Sequence, residues 1–209
     1  MNKYVTELIG TFFLVLTIGC TVVGGAAGVI PPLAIGAALM VMVYAGGHIS
    51  GAHFNPAVTL AVVMRGKCES KDMIPYWIFQ VVGAVLAAFV VKFLFPTASP
   101  AAAEIDTVRA LVAEFLFTFA LAWVVLNVAT SSDTANNSFY GLAIGMTVLV
   151  GAFAVGGVSG GAFNPAVAIG AAIMGLLDMT SIWIHLVADF AGAAAAALAF
   201  KALSTADAS

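Results

Sequence analysis

Two copies of one nine-residue segment hold the residues of this sequence that could act on a small molecule. The copy at 50–58 reads Ser-Gly-Ala-His-Phe-Asn-Pro-Ala-Val, and the copy at 159–167 reads Ser-Gly-Gly-Ala-Phe-Asn-Pro-Ala-Val. Asparagine before proline is typical of a helix start, because Asn caps the first free amides and Pro suits the first helical position. We therefore predict two helix starts, formed by Asn55, Pro56, Ala57, Asn164, Pro165 and Ala166.

These helix starts and the loops before them could bind neutral polar groups. Each helix N-terminus presents about +0.5 charge, which repels cations, and each Asn has amide hydrogens to donate. Glycine allows the preceding loops to approach a solute closely. Acceptors would come from the loop carbonyls of Gly51, Ala52, His53, Gly160, Gly161 and Ala162.

The composition places both segments in lipid. The chain has 209 residues, of which 63% are hydrophobic and 8% charged, and its mean hydropathy is +1.12. A soluble domain carries about 25% charged residues. No basic patch suggests nucleic acid, and no pairing of nucleophile and base suggests an enzyme. The three scattered histidines and the distant Cys20 and Cys68 predict neither a metal site nor a cofactor.

Continuous apolar runs predict six membrane-crossing helices, since about 20 apolar residues span a bilayer. We predict the crossings at about 5–24, 32–48, 73–95, 107–129, 138–156 and 179–202. The apolar helices at about 55–65 and 164–176 are too short to cross. They are therefore predicted to be half-spans that enter from opposite faces and meet near the middle. A charged residue, Glu7, lies inside the first apolar run, which argues against a cleaved signal peptide.

The second half of the sequence repeats the first. Asn164 follows Asn55 by 109 positions, and the same offset relates Leu33-Ala34-Ile35-Gly36 to Leu142-Ala143-Ile144-Gly145. Repeat one covers about 1–95 and repeat two about 107–202, within a single membrane domain of 1–209. Three crossings per repeat predict that the second is inverted relative to the first.

Lysine and arginine indicate the orientation of the chain. With the N-terminus in the cytoplasm, five of these residues are cytoplasmic and two, Lys92 and Arg109, are external. This asymmetry favours cytoplasmic N- and C-termini in a multi-pass protein of the cell membrane.

The doubled Asn-Pro-Ala, the Ser-Gly-Ala-His-Phe segment before it and the duplicated three-helix plan resemble the aquaporin family over essentially the whole chain. The resemblance implies an all-α membrane protein with six transmembrane helices and two re-entrant half-helices. It also implies a homotetramer in the lipid bilayer, with a pore for water or small neutral solutes in each subunit.

The two intramembrane carboxylates, Glu7 and Glu114, follow the repeat. A carboxylate inside a membrane is costly unless it is partnered. The family's glutamates at matching positions are understood to brace the two re-entrant loops, and we favour that role over a proton relay.

The selectivity filter departs from the family pattern. By resemblance, the filter positions are Ile35, Ala152, Gly161 and Val167. The family nearly always has arginine where Val167 stands and often has an aromatic residue where Ile35 stands. Losing Arg removes hydrogen-bond donors and a fixed charge, so a wider, apolar filter is expected. It would pass glycerol, urea, ammonia or neutral metalloid hydroxides as well as water, with weaker proton exclusion. The alternative is a water pore narrowed by another residue, such as Phe153 or Phe163.

His185 and Asp189 are four residues apart and share a helix face. They are either a buried hydrogen-bonded pair or a pH-sensitive group near the inner mouth. For His53 we favour a structural hydrogen bond, and for His48 a place at a helix end.

Two other classes of protein share some of these features. Secondary transporters also use inverted repeats and broken helices, but they would need ion-coordinating carboxylates where this chain has neutral Asn-Pro-Ala. A non-conducting scaffold is disfavoured because the external loops are short.

Overall fold

The computed structural model describes residues 1–102 and 104–204, and within these residues the fold is helical with no strand. The helices are α1 (Asn2–Val22), α2 (Ile30–Ser50), α3 (Pro56–Met64), α4 (Ser70–Leu94), α5 (Thr107–Thr130), α6 (Tyr140–Ser159), α7 (Pro165–Met174) and α8 (Ile182–Leu203). Short 3-10 turns lie at Ser132–Thr134 and Met179–Ser181.

Six of these helices are long and apolar enough to cross a membrane, as predicted. The other two, α3 and α7, have only 9 and 10 residues, which corresponds to about 14–15 Å. The predicted end of the second half-helix at 176 is two residues too late. Gly175 has a φ of 82° and caps α7, because glycine adopts this left-handed conformation without a Cβ penalty.

The helix contacts follow the internal repeat. In the first half α1 packs against α4, and in the second half α5 packs against α8, while α2 and α6 contact each other. Each half-helix also packs on a helix of the other half, α3 on α8 and α7 on α4. The half-helices therefore join the two repeats into one bundle.

Glycines allow the long helices to approach closely. A Cβ on Gly83 of α4 would lie 2.4 Å from the Leu8 carbonyl oxygen of α1, and a Cβ on Gly192 of α8 would lie 2.5 Å from the Phe115 carbonyl oxygen of α5. These two glycines are 109 positions apart, so the same close approach occurs in both repeats. Small residues at such positions are typical of helix packing in membranes.

Large apolar side chains cover much of the outside of the bundle. Phe89 of α4 is 60% exposed, and Leu116 of α5 and Val187 of α8 are also exposed. An apolar exterior of this kind suits contact with lipid.

Candidate functional site

The two predicted helix starts meet and bond to each other. The Oδ1 atom of Asn55 accepts hydrogen bonds from the first amides of α3, and that of Asn164 does the same for α7. Asn55 Nδ2 donates to the Phe163 carbonyl at 2.8 Å, and Asn164 Nδ2 donates to the Phe54 carbonyl at 2.8 Å. One of the two amide hydrogens on each Asn is therefore used by the opposite loop, and the other can be offered to a solute.

The two loops adopt an unusual backbone conformation just before the helix starts. Phe54 has a φ of 49° and Phe163 a φ of 48°. A non-glycine residue in this left-handed region costs about 1–3 kcal/mol and persists only where its surroundings enforce it. Gly51 and Gly160, with φ of 87° and 91°, end α2 and α6 and turn the chain into the loops.

Glu7 supplies the surroundings that hold the first loop. Its Oε1 accepts from Ser50 Oγ at 2.7 Å and from the His53 amide at 3.0 Å. Its Oε2 accepts from the Phe54 amide at 2.6 Å and from Gln80 Nε2 at 2.7 Å. Because Glu7 is fully buried, these four donors satisfy a carboxylate that cannot reach water.

Glu114 makes the corresponding contacts with the second loop. Its Oε1 accepts from Ser159 Oγ at 2.5 Å and from the Ala162 amide at 3.0 Å, and its Oε2 accepts from the Phe163 amide at 2.7 Å. Glu114 is also fully buried. Each of the two repeats thus places one carboxylate behind its own loop.

An apolar cavity of about 360 Å³ runs past the two helix starts. The filter positions Ile35, Ala152, Gly161 and Val167 all line it. So do Asn55, Asn164 and the predicted carbonyl-bearing residues Ala52, His53, Gly160, Gly161 and Ala162. Among the described residues that line this cavity, none carries a fixed charge and His53 is the only titratable one.

Two further cavities, of about 590 Å³ and 310 Å³, lie at the end of the bundle where α5 finishes. The larger is lined by residues 131–132 and 134–137 together with Gly51, and it shares Ile144 with the main cavity. The smaller shares His53 and Val125 with the main cavity. The shared lining residues place the three cavities next to one another.

Neither aromatic residue considered as a narrowing element lines the main cavity. Phe153 is 48% exposed on the outside of α6. Phe163 is fully buried, with its ring 5.4 Å from that of Phe117 and close to Gly151. Neither ring therefore borders this cavity, and a water pore narrowed by another residue stays an alternative prediction.

The predicted hydrogen-bonded pair of His185 and Asp189 does not form. His185 Nε2 faces the Ser159 carbonyl at 2.8 Å, and its Nδ1 has no partner among the described residues. Asp189 instead accepts a hydrogen bond from Thr118 Oγ1 at 2.8 Å. Both side chains are fully buried behind the second loop, so they do not line an inner mouth.

His48, His53 and both cysteines lie in the first repeat. His53 Nδ1 is 3.1 Å from Thr59 Oγ1, and His48 is exposed in the last turn of α2. Cys20 and Cys68 are unpaired. Across the described part of the chain, no three His, Cys, Asp or Glu side chains group closely enough to hold a metal ion.

Sequence reasoning missed several side chains that support the loops. Tyr76 donates from its hydroxyl to the Ser50 carbonyl at 2.7 Å, and Gln80 Nε2 bonds both Glu7 and Thr59. The 109-residue offset could have found them, since it relates Tyr76 to His185 and Gln80 to Asp189.

A bundle of membrane-length helices around a narrow path between two helix starts is the architecture of a membrane channel. The family model described as "Major intrinsic protein" matches residues 1–200, and the chain belongs to that family.

Relatives and a solved structure agree with this assignment. The chain is 40% identical to Aquaporin NIP1-1 of Zea mays, over 96% of this chain and 74% of that one. It is 37% identical to Glycerol uptake facilitator protein-like 6 of Lactiplantibacillus plantarum, over 99% and 100%. The X-ray structure of the aquaglyceroporin from Plasmodium falciparum has the same fold, with a TM-score of 0.86 at 23% identity, over 98% and 96% of the two chains. The protein is therefore a multi-pass membrane channel for water and small solutes, and it is not an enzyme.

Proposed function

We propose that this channel passively conducts small uncharged solutes bulkier than water, such as glycerol, urea, ammonia or neutral metalloid hydroxides, together with water. The observation that carries the proposal is the filter itself. Ile35, Ala152, Gly161 and Val167 lie on the wall of one cavity, and none of them carries a charge or a polar side chain. One of the relatives is named a glycerol uptake facilitator, which agrees with a solute of this size.

A permeating solute would meet acceptors on one side of the path and apolar side chains on the other. The loop residues Gly160, Gly161 and Ala162 offer backbone carbonyls, whereas Leu121 and Val148 are apolar. A solute with several hydroxyl or amide hydrogens could exchange its water for these carbonyls while its carbon atoms face the apolar wall. An ion gains too few contacts from the apolar wall to replace its lost water. A cation is also repelled by the positive N-terminal ends of α3 and α7.

Val167 in place of arginine makes proton exclusion depend on the helix ends alone. An arginine there would add a fixed positive charge and several donors that hold water tightly. Without it, the barrier to an excess proton rests on the two N-termini at Asn55 and Asn164. We therefore expect slow but measurable proton leakage.

We propose the following arrangement in the membrane. The whole chain forms one channel domain of two inverted repeats, four copies form a homotetramer, and each copy has its own pore. Both termini face the cytoplasm of the cell membrane, and Glu7 and Glu114 brace the pore loops. The exposed apolar side chains of α4, α5 and α8 support contacts with lipid and between copies.

Stopped-flow light scattering on proteoliposomes tests the proposed solutes. Vesicles are exposed to gradients of glycerol, of urea and of an impermeant sugar, and empty liposomes provide the baseline. We expect solute fluxes above that baseline that are independent of sodium and proton gradients. Flux of water alone would overturn the broad-pore proposal, and flux coupled to an ion gradient would indicate a transporter.

The filter variant Val167→Arg tests which residue sets the selectivity. Arg fills the cavity and adds a charge, so glycerol and urea flux should fall at least about tenfold while water flux persists; this factor corresponds to about 1.4 kcal/mol of barrier. Val167→Leu is the matched control, because it adds volume without charge. Unchanged glycerol flux in Val167→Arg would place the constriction elsewhere.

A further inference from the structure

The two carboxylates behind the pore loops, Glu7 and Glu114, have different neighbours at one equivalent position of the repeats. Gln80 Nε2 donates a hydrogen bond to Glu7 Oε2 at 2.7 Å. The position 109 residues later is Asp189, which accepts a hydrogen bond from Thr118 on α5. Thr118 is one helical turn after Glu114, so Asp189 packs on the face of α5 that carries Glu114. A carboxylate has no hydrogen to donate. Asp189 can replace the Gln80 amide only if it carries a proton.

The hydrogen-bond partners of the two carboxyls indicate where that proton lies. Glu114 already accepts from Ser159 Oγ and from the Ala162 and Phe163 amides, as a carboxylate does. Asp189 Oδ1 accepts from Thr118 Oγ1, whereas Asp189 Oδ2 has no hydrogen-bond partner of good geometry in the described residues. A hydroxyl hydrogen on Oδ2 would give this atom a partner in Glu114.

Two adjacent carboxylates are not stable in this environment. Asp189 and Glu114 are both fully buried, so water cannot screen their repulsion. A pair of carboxyls at one dry site keeps a proton, because like charges at hydrogen-bonding distance cannot both be ionised.

The neighbouring helices supply no positive charge that would remove the need for the proton. From α8 itself, His185 faces the pair, with Nε2 3.8 Å from Glu114 Oε1. Its Nε2 is 2.8 Å from the Ser159 carbonyl, so Nε2 carries the hydrogen. A second hydrogen on Nδ1 would have no acceptor in the described residues.

In the part of the chain that the structure describes, the other helices in contact with α8 bring no positive charge close to Asp189. Helices α3 and α7 contain no titratable residue. Glu114 is the titratable residue that faces Asp189 from α5, and the Asn164 amide lies near Asp189 from the second loop. Arg65 at the end of α3 lies over the Phe200 ring, towards the far end of α8.

We propose that Asp189 is a neutral carboxylic acid that donates its Oδ2 hydrogen to Glu114 and so positions the second pore loop. Asp189 does for that loop what the Gln80 amide does for the first. It acts through Glu114, which holds the Ala162 and Phe163 amides, and is therefore a positioning residue. The effect on flux rests on the proposed channel function, but the presence of the proton does not.

Infrared spectroscopy of the protein in bilayers detects the proton directly. A protonated carboxyl has a C=O stretching band above the amide I band, and this band shifts in deuterium oxide. We expect the wild type to show such a band at neutral pH and Asp189→Asn to lose it. Gln80→Glu is the matched variant, because it creates the same carboxyl pair with Glu7 and should add a second band. A wild type without the band, or a band that persists in Asp189→Asn, overturns the proposal.

Flux measurements then test the positioning role. Asp189→Leu removes the donor and should reduce solute flux at neutral pH, whereas Asp189→Asn keeps a donor and should restore it. As the pH rises and the proton leaves, wild-type flux should fall and Asp189→Asn flux should stay constant. A parallel decline in both proteins contradicts the positioning role. A wild type that conducts no solute refutes the proposed function but leaves the infrared result intact.

Discussion

Replacing Glu7 tests whether a buried carboxylate holds the first pore loop. Glu7→Ala leaves four buried donor hydrogens without an acceptor, namely those of Ser50 Oγ and the His53 and Phe54 amides and one hydrogen of Gln80 Nε2. The other hydrogen of Gln80 Nε2 keeps Thr59 Oγ1 as its acceptor. Each buried donor without a partner costs about 1–3 kcal/mol. The sum of about 4–12 kcal/mol is comparable to the whole stability of a typical domain, about 5–15 kcal/mol. We expect Glu7→Ala to fail to fold.

Glu7→Gln gives a smaller and more informative effect. A glutamine amide has a single acceptor oxygen. If that oxygen faces the Phe54 amide and Gln80, the new NH₂ group faces Ser50 and the His53 amide. The Ser50 hydroxyl can rotate to accept, but the His53 amide loses its partner. We expect a loss of about 1–3 kcal/mol, which corresponds to about 2–12 °C in melting temperature for a chain of this size.

Thermal unfolding in one detergent, monitored by circular dichroism, measures this loss of stability. Glycerol flux reports the geometry of the loop. Thr6→Ala is the matched control on the same helix, because Thr6 Oγ1 makes an exposed bond to the Asn2 carbonyl. It should change the melting temperature little. If Glu7→Gln melts with the wild type and conducts equally, the carboxylate does not brace the loop.

Two further predictions concern the helix bundle and a loop. Gly83→Ala places a methyl group 2.4 Å from the Leu8 carbonyl oxygen and should lower the melting temperature by several degrees. Gly157→Ala is the matched control, because its methyl group meets no atom within 4 Å. It should leave the melting temperature unchanged or raise it slightly. Asp178 accepts hydrogen bonds from the Thr180 amide and hydroxyl, which hold the pKa of its carboxyl below the usual value. The stabilisation is thus present at neutral pH and lost as the pH falls through the lowered pKa. Asp178→Asn should therefore flatten the acid side of the stability profile, and an unchanged profile would contradict this.

Local patterns determine the helices of this protein. The six apolar runs and the two Asn-Pro helix starts are each contained within one continuous stretch of sequence. The helices that they form are therefore predictable to within a few positions. The offset of 109 also places Gly83 and Gly192 at equivalent positions of the two repeats, and the structure shows the same close helix approach at both.

Only the tertiary structure decides which side chains become partners. Spacing puts His185 and Asp189 on one face of α8, but helix α5 brings Thr118 and Glu114 to Asp189. The neighbour of the Phe163 ring is likewise set by tertiary packing. Phe163 has a left-handed backbone conformation, and its ring packs against Phe117 of α5. A residue's own helix sets its direction, whereas its contacts depend on neighbours far along the chain, which no local pattern encodes. The sequence therefore determines the two helix starts, and the packing of the repeats decides what holds them.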